Sequence, residues 1–197
     1  MIANSFRQKI ASVFSSGSKA EMELPQKIYN SCLQASRRPE FYTSFDVADT
    51  FDGRFDMLCL IMSIYIQRLN QDTSQNKKFS QNLFDIMFKD IDVTLREMGA
   101  GDLGVGKRVK IMSESFLGRL TKYCDNLTSR DSGSLAESLS RNLYRQEGYV
   151  HEKSPLINLV FKIQEHLAKL PIQKVMSEEF NMNDVVLSCL SGSIKNS

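Results

Sequence analysis

The chain has 197 residues, long enough for one domain, and its 42% hydrophobic content supplies the apolar material for a single core. A net charge of +2 excludes a protein-wide basic field of the kind that holds nucleic acid, so any positive patch must be local. No apolar run reaches the roughly 18 residues of a membrane span, and Cys32, Cys59, Cys124 and Cys189, far apart and without a CxxC pair, read as reduced intracellular thiols instead of a disulfide or zinc framework.

Residues 2–14 place Ile2, Phe6, Ile10, Val13 and Phe14 along one helical face, with no acid before Glu21. Such a segment suits an anionic membrane surface, a mitochondrial address or a docked terminal helix. Residues 15–18, Ser-Ser-Gly-Ser, read as a linker, dividing an N-terminal amphipathic piece (1–20) from a helical domain (21–197). Pro25, favoured in a first turn, opens a helix with Ile28, Tyr29, Cys32 and Leu33 that Arg37, Arg38 and Pro39 close. From Glu40 to Ala48 the text is irregular and aromatic, which predicts a loop packed on the body.

Asp49 has the character of a helix cap, with Asp52 completing a capping box and complementing the dipole. The helix from Phe51 to about Leu69 is apolar on nearly every side after Asp56 and is predicted to be the core helix. Gly53 in its first turn costs roughly 1 kcal/mol against Ala, which predicts a close packing partner. A polar loop at 70–78 follows.

Phe79, Leu83, Phe84, Met87, Phe88, Ile91, Leu95 and Met98 then recur at steps of three and four, and Val105, Val109, Met112, Phe116 and Leu120 repeat the pattern. Between them lie Gly99, Gly101, Gly104 and Gly106, followed by Lys107, Arg108 and Lys110. Two amphipathic helices are expected to meet at this flexible basic elbow. Leu135, Ala136, Leu139 and Leu143 define a short helix ending near Gly148, and Ser154 and Pro155 start another that Pro171 stops. From Ile172 to Leu190 a short strand and another helix fit equally. The fold is expected to be all-α, a single-domain bundle of about six to eight helices.

The elbow matches two nucleotide motifs in letter. Gly99 to Gly104 spells GxGxxG, and Gly101 to Lys107 most of a Walker A loop. Both need a strand feeding the glycine turn, whereas a helical pattern precedes Gly99, and Arg108 stands where the Walker Ser/Thr belongs. A nucleotide- or phosphate-binding protein using residues 99–107 is therefore the alternative reading.

Lys107, Arg108 and Lys110 oppose the dipole of the helix they begin, so an acid in the fold or an external anionic partner must offset them. A helical wheel puts Asp90 at the margin of the apolar stripe, the best internal partner for Arg54 or Arg108. Asp85 and Asp92 point away and pair with Lys89 and Arg96 at i+4. With Arg37 and Arg38, the three basic residues could instead meet RNA. His151 and His166 lack a metal-site neighbour, and no nucleophile elbow appears, so neither metal nor catalysis is expected.

Residues 49–56 (DTFDGRFD), LFDIMFKDID at 83–92, LREMGAGDLGVGKRVKIMSESFLGRL at 95–120 and RNLYR at 141–145 together resemble the ubiquinol–cytochrome c chaperone family, over roughly residues 40–147. The resemblance implies a non-enzymatic assembly factor, without cofactor, that binds newly made cytochrome b and helps build the cytochrome bc1 complex. It also implies a small partner protein, a position near the ribosome exit, and no role with DNA. Asp52, Gly53, Arg54, Asp90, Gly101, Asp102, Gly104, Gly106, Lys107 and Arg108 match the family pattern, and Ala100 departs from it slightly. We expect Arg54, Gly101, Asp102, Gly104, Gly106, Lys107, Arg108 and Lys110 to serve partner binding and Asp52, Gly53 and Asp90 to serve structure. Length and the lack of a long leader suggest a bacterial-type member at the cytoplasmic face of the inner membrane, with peripheral membrane contact; the mitochondrial matrix is the alternative.

Overall fold

Every residue from Phe55 to Leu69 is buried in the computed structural model, which describes residues 19–72, 76–99 and 101–191. That run lies within a helix over Phe51–Asp72, and a helix apolar all round is stable only when neighbours enclose it. Before it come α1 (Lys19–Ser36) and the short α2 (Pro39–Thr43), so the central helix is α3. After it come α4 (Lys77–Glu97), α5 (Asp102–Ser129) and α6 (Ser132–Leu139), the last running into a π-helical turn, Ser140–Tyr144. Then follow α7 (Pro155–Lys169), α8 (Ile172–Val175) and α9 (Met182–Ser191). The fold is all-α, with no strand among the described residues.

The long α5 makes the largest interface with α3, and α1, α7 and the π turn enclose more of it; α4 packs mainly on α1 and α5. Phe84, Phe88 and Phe116 join α4 to α5, with ring centroids 4.7 to 5.9 Å apart. Polar side chains fix the remaining crossings by satisfying helix ends. Buried Arg68 donates to the Leu167 and Leu170 carbonyls at 3.0 and 2.9 Å, placing a cation at the negative end of α7. Gln164 Nε2 donates to the Leu127 carbonyl near the end of α5, and the Met182 amide that opens α9 donates to Ser31 Oγ.

Several local expectations change. Pro25 lies inside α1, which begins earlier, at Lys19. The stretch after Pro39 first forms α2, with Phe41 fully buried, before the loop. The cap of α3 is Thr50, whose hydroxyl accepts from the Gly53 amide at 3.1 Å, while Asp49 binds Arg54 at 2.6 Å. Gly53 has the predicted close partner, because a Cβ there would come within 2.0 Å of the Ala48 carbonyl oxygen. Within 172–190, left open between strand and helix, the chain forms two helices, α8 and α9, joined by a non-helical turn at 176–181. The expected amphipathic segment 2–14 and linker 15–18 lie outside the described residues.

Candidate partner-binding site

A cleft of about 420 Å3 opens between the second half of α1, the start of α3 and the end of α4. Tyr29, Leu33, Phe51, Phe55, Leu58 and Ile91 give it an apolar lining, and Met98, one of the most exposed large apolar side chains, stands at its edge. Arg37 and Arg54 line it as cations. Both carboxylates in the lining are occupied: Asp49 by Arg54, and Asp90 by the Tyr29 hydroxyl, which donates to it at 2.6 Å. Burial and the adjacent Asp90 push the Tyr29 hydroxyl far above its ordinary pKa, so it remains a donor. Arg54 holds the Asp49 carboxyl below the usual range.

Asp90 takes a partner other than the two arginines expected for it. It binds neither Arg54 nor Arg108; the latter lies over the Phe51 ring, 5.7 Å from its centroid. A wheel shows which side of α4 a residue occupies, not which residue of another helix meets it. Asp92 pairs with Arg96 as predicted, whereas Asp85 is buried and accepts from Gln81 at 2.7 Å.

The glycine elbow is tighter than expected. Gly99, at φ 84°, is the left-handed residue that ends α4, and Gly101, at φ −65° and ψ 151°, is the extended residue from which α5 starts. Gly104 and Gly106 are already helical. Arg96 bonds both Asp92 and Asp102, stapling the two helices across the corner. A helix runs into Gly99, so the strand-turn-helix geometry of a phosphate loop is absent here. Lys107 and Lys110 are exposed and form no ion pair with any described residue. The predicted set thus divides: Arg54, Arg108 and Asp90 belong to the cleft or its edge, while Gly101, Asp102, Gly104, Gly106, Lys107 and Lys110 form the corner and the exposed face of α5.

Sequence reasoning missed a buried ionic cluster. The Asp56 side chain, wholly removed from solvent, lies 2.9 Å from Arg119 of α5 and 2.9 Å from Arg145, and Arg145 also reaches Asp52 at 3.7 Å. Arg145 adopts φ 54°, the left-handed conformation that ends the π turn. Burial outweighs both guanidiniums and lifts the Asp56 carboxyl to about 6. The available signal was that Asp56 interrupts the most apolar helix of the chain.

A model of the ubiquinol-cytochrome C chaperone family matches residues 43–182, which include the cleft's α3 and α4 walls, the corner and the ionic cluster. The chain belongs to that family. The match extends past the expected limit near residue 147 to take in α7 and α8. Two curated relatives, each named ubiquinol-cytochrome c reductase complex assembly factor 1, align over 121 residues; the Mus musculus protein is 25% identical and the Homo sapiens protein 24%. Those alignments take in 61% of this chain but only 41% and 40% of the relatives, so the chain spans about two fifths of their length. The crystal structure of the Cbp3 homolog from Brucella abortus superposes with a TM-score of 0.73 at 30% identity, covering 94% of this family member and 98% of that chain.

Proposed function

We propose that this chain is a non-enzymatic assembly chaperone for the ubiquinol–cytochrome c reductase (bc1) complex, and that the cleft between α1, α3 and α4 receives an apolar segment of newly made cytochrome b. The family and the names of the two assembly-factor relatives support the first part. The observation that carries the second is the cleft itself: a preformed apolar surface beside an exposed methionine, whose flexible, polarisable side chain adapts to varied apolar partners. Arg54 and Arg108 would add polar contacts at its edge, and Gly101, Asp102, Gly104, Gly106, Lys107 and Lys110 would extend the contact along α5. That face of α5 also suits a small partner protein or the ribosome. No helix among the described residues is long and apolar enough to cross a membrane, which is compatible with action from the cytoplasmic face of a bacterial inner membrane or from the matrix, with peripheral membrane contact.

The test is site-specific photocrosslinking in a translation reaction that makes cytochrome b. A photoreactive residue at Leu33 or Met98 should yield an adduct with the nascent chain, and one at Glu165 on α7 should not. Capture of cytochrome b that persists in a Leu33→Asp variant of unchanged melting temperature would overturn the cleft assignment.

A further inference from the structure

A second cavity, of about 280 Å3, lies between α5 and the junction of α6 with the π turn, and its chemistry differs from that of the cleft. Three cations line it, Arg119 and Lys122 from α5 and Arg141 from the π turn, and no carboxylate does. Arg119 is engaged with Asp56 through one nitrogen. Lys122 and Arg141 are exposed and form no ion pair with any described residue. Of the three positive charges facing this cavity, those of Lys122 and Arg141 are therefore not neutralised by any described residue.

Two further observations bear on what this cavity could hold. Ser138 is 3% exposed, lines the cavity and accepts from Asn126 Nδ2 at 3.2 Å, yet its own proton finds no acceptor among the described residues. A hydroxyl so placed has a donor to offer to whatever fills the space. Gly118 also lines the cavity, in the interior of a 28-residue helix, where glycine costs about 1 kcal/mol against alanine. Nothing in the fold requires it: a Cβ at Gly118 would meet no atom within 4 Å. Its effect is to leave the cavity open.

We propose that this cavity binds a phosphate-type oxyanion, with Arg141 and Lys122 as charged donors, Ser138 as a hydroxyl donor and Gly118 leaving the space. Arginine and lysine together suit a tetrahedral oxyanion, the first as a planar fork and the second as a point charge. Free phosphate and the phosphate of a lipid headgroup share this chemistry. The site lies apart from both the glycine corner and the cleft and does not depend on the reading of either.

The experiment uses the full chain and three forms: wild type, Gly118→Leu, which fills the space with a good helix former, and Lys122→Gln/Arg141→Gln, which keeps the space and removes the charge. Calorimetric titration with inorganic phosphate should show saturable binding to the wild type, no binding to Gly118→Leu, and affinity at least about tenfold lower for the double variant, as loss of charge-assisted bonds predicts. Flotation with phosphatidylcholine vesicles, with and without phosphatidylglycerol, tells the sources apart. Retention on the anionic vesicles that Gly118→Leu abolishes assigns the headgroup, and phosphate binding without such retention assigns the free anion. Should neither phosphate nor anionic vesicles bind saturably, or should both variants bind as the wild type does, the proposal falls. If Gly118→Leu fails to fold, the double variant alone decides on the same criteria.

Discussion

Arg145 closes the π turn with its guanidinium 2.9 Å from the carboxylate of Asp56, a residue 89 positions earlier and wholly buried in the central helix. Arg119 reaches the other oxygen of the same carboxylate from α5, so a single acid ties three elements together. Removing Asp56 leaves the largely buried Arg119 guanidinium without its acid, whereas Arg145 is exposed. Asp56→Ala should therefore cost about 3 to 5 kcal/mol of unfolding free energy, whereas an apolar replacement of Asp56 and Arg119 together should recover much of that loss. Urea denaturation of the single and double variants measures both.

The same carboxyl makes stability depend on pH. Its value in the folded chain, about 6, lies above the ordinary 3.8, so the folded state holds this proton more tightly than the unfolded state does. Its contribution is fully present below the ordinary value and is lost as the pH rises through the folded one. Between about pH 4 and 7 the unfolding free energy of the wild type minus that of Asp56→Asn should fall, by up to about 3 kcal/mol. Other carboxyls are common to both proteins and cancel. A difference that is flat or rises with pH would contradict the assignment.

On the proposed function, Tyr29 and Arg108 should separate stability from recognition in the cleft. Tyr29→Phe removes the hydroxyl that donates to the Asp90 carboxylate and should cost about 1.5 to 3 kcal/mol, the range for a hydrogen bond to a charged group. Arg108→Ala removes an exposed stacking contact with Phe51 and should cost no more than about 1 kcal/mol. Paired melting curves and cytochrome b capture should show Tyr29→Phe losing stability first and Arg108→Ala losing capture first.

The glycines should respond oppositely to alanine. Gly53→Ala drives a Cβ into the Ala48 carbonyl at 2.0 Å, a contact that only a backbone shift relieves, and should destabilise by at least about 2 kcal/mol. Gly106→Ala meets no atom within 4 Å and should stabilise, by up to about 1 kcal/mol. Thermal unfolding of the two variants checks the signs.

Periodicity alone determined the long helices, because a 3.6-residue repeat of apolar side chains is a local property that any window of the chain carries. The short α2, expected as loop, and α8 and α9, open between strand and helix, carry too few turns to show it. The all-α class, the enclosed position of α3, the Ser154 cap with Pro155 at the start of α7 and the close partner of Gly53 were all legible from such windows, and the unusual block around the glycine corner was enough to indicate the family. Partnership was not legible. Asp90 faces Tyr29 instead of an arginine, Asp56 gathers Arg119 and Arg145, and Ser138 lines one cavity with Lys122 and Arg141, because each of these meetings depends on how whole helices cross. Crossing angles and contacts are set by the summed packing of many side chains on both helices, so only the tertiary structure decided which charges are neutralised inside the fold and which are left to face a partner.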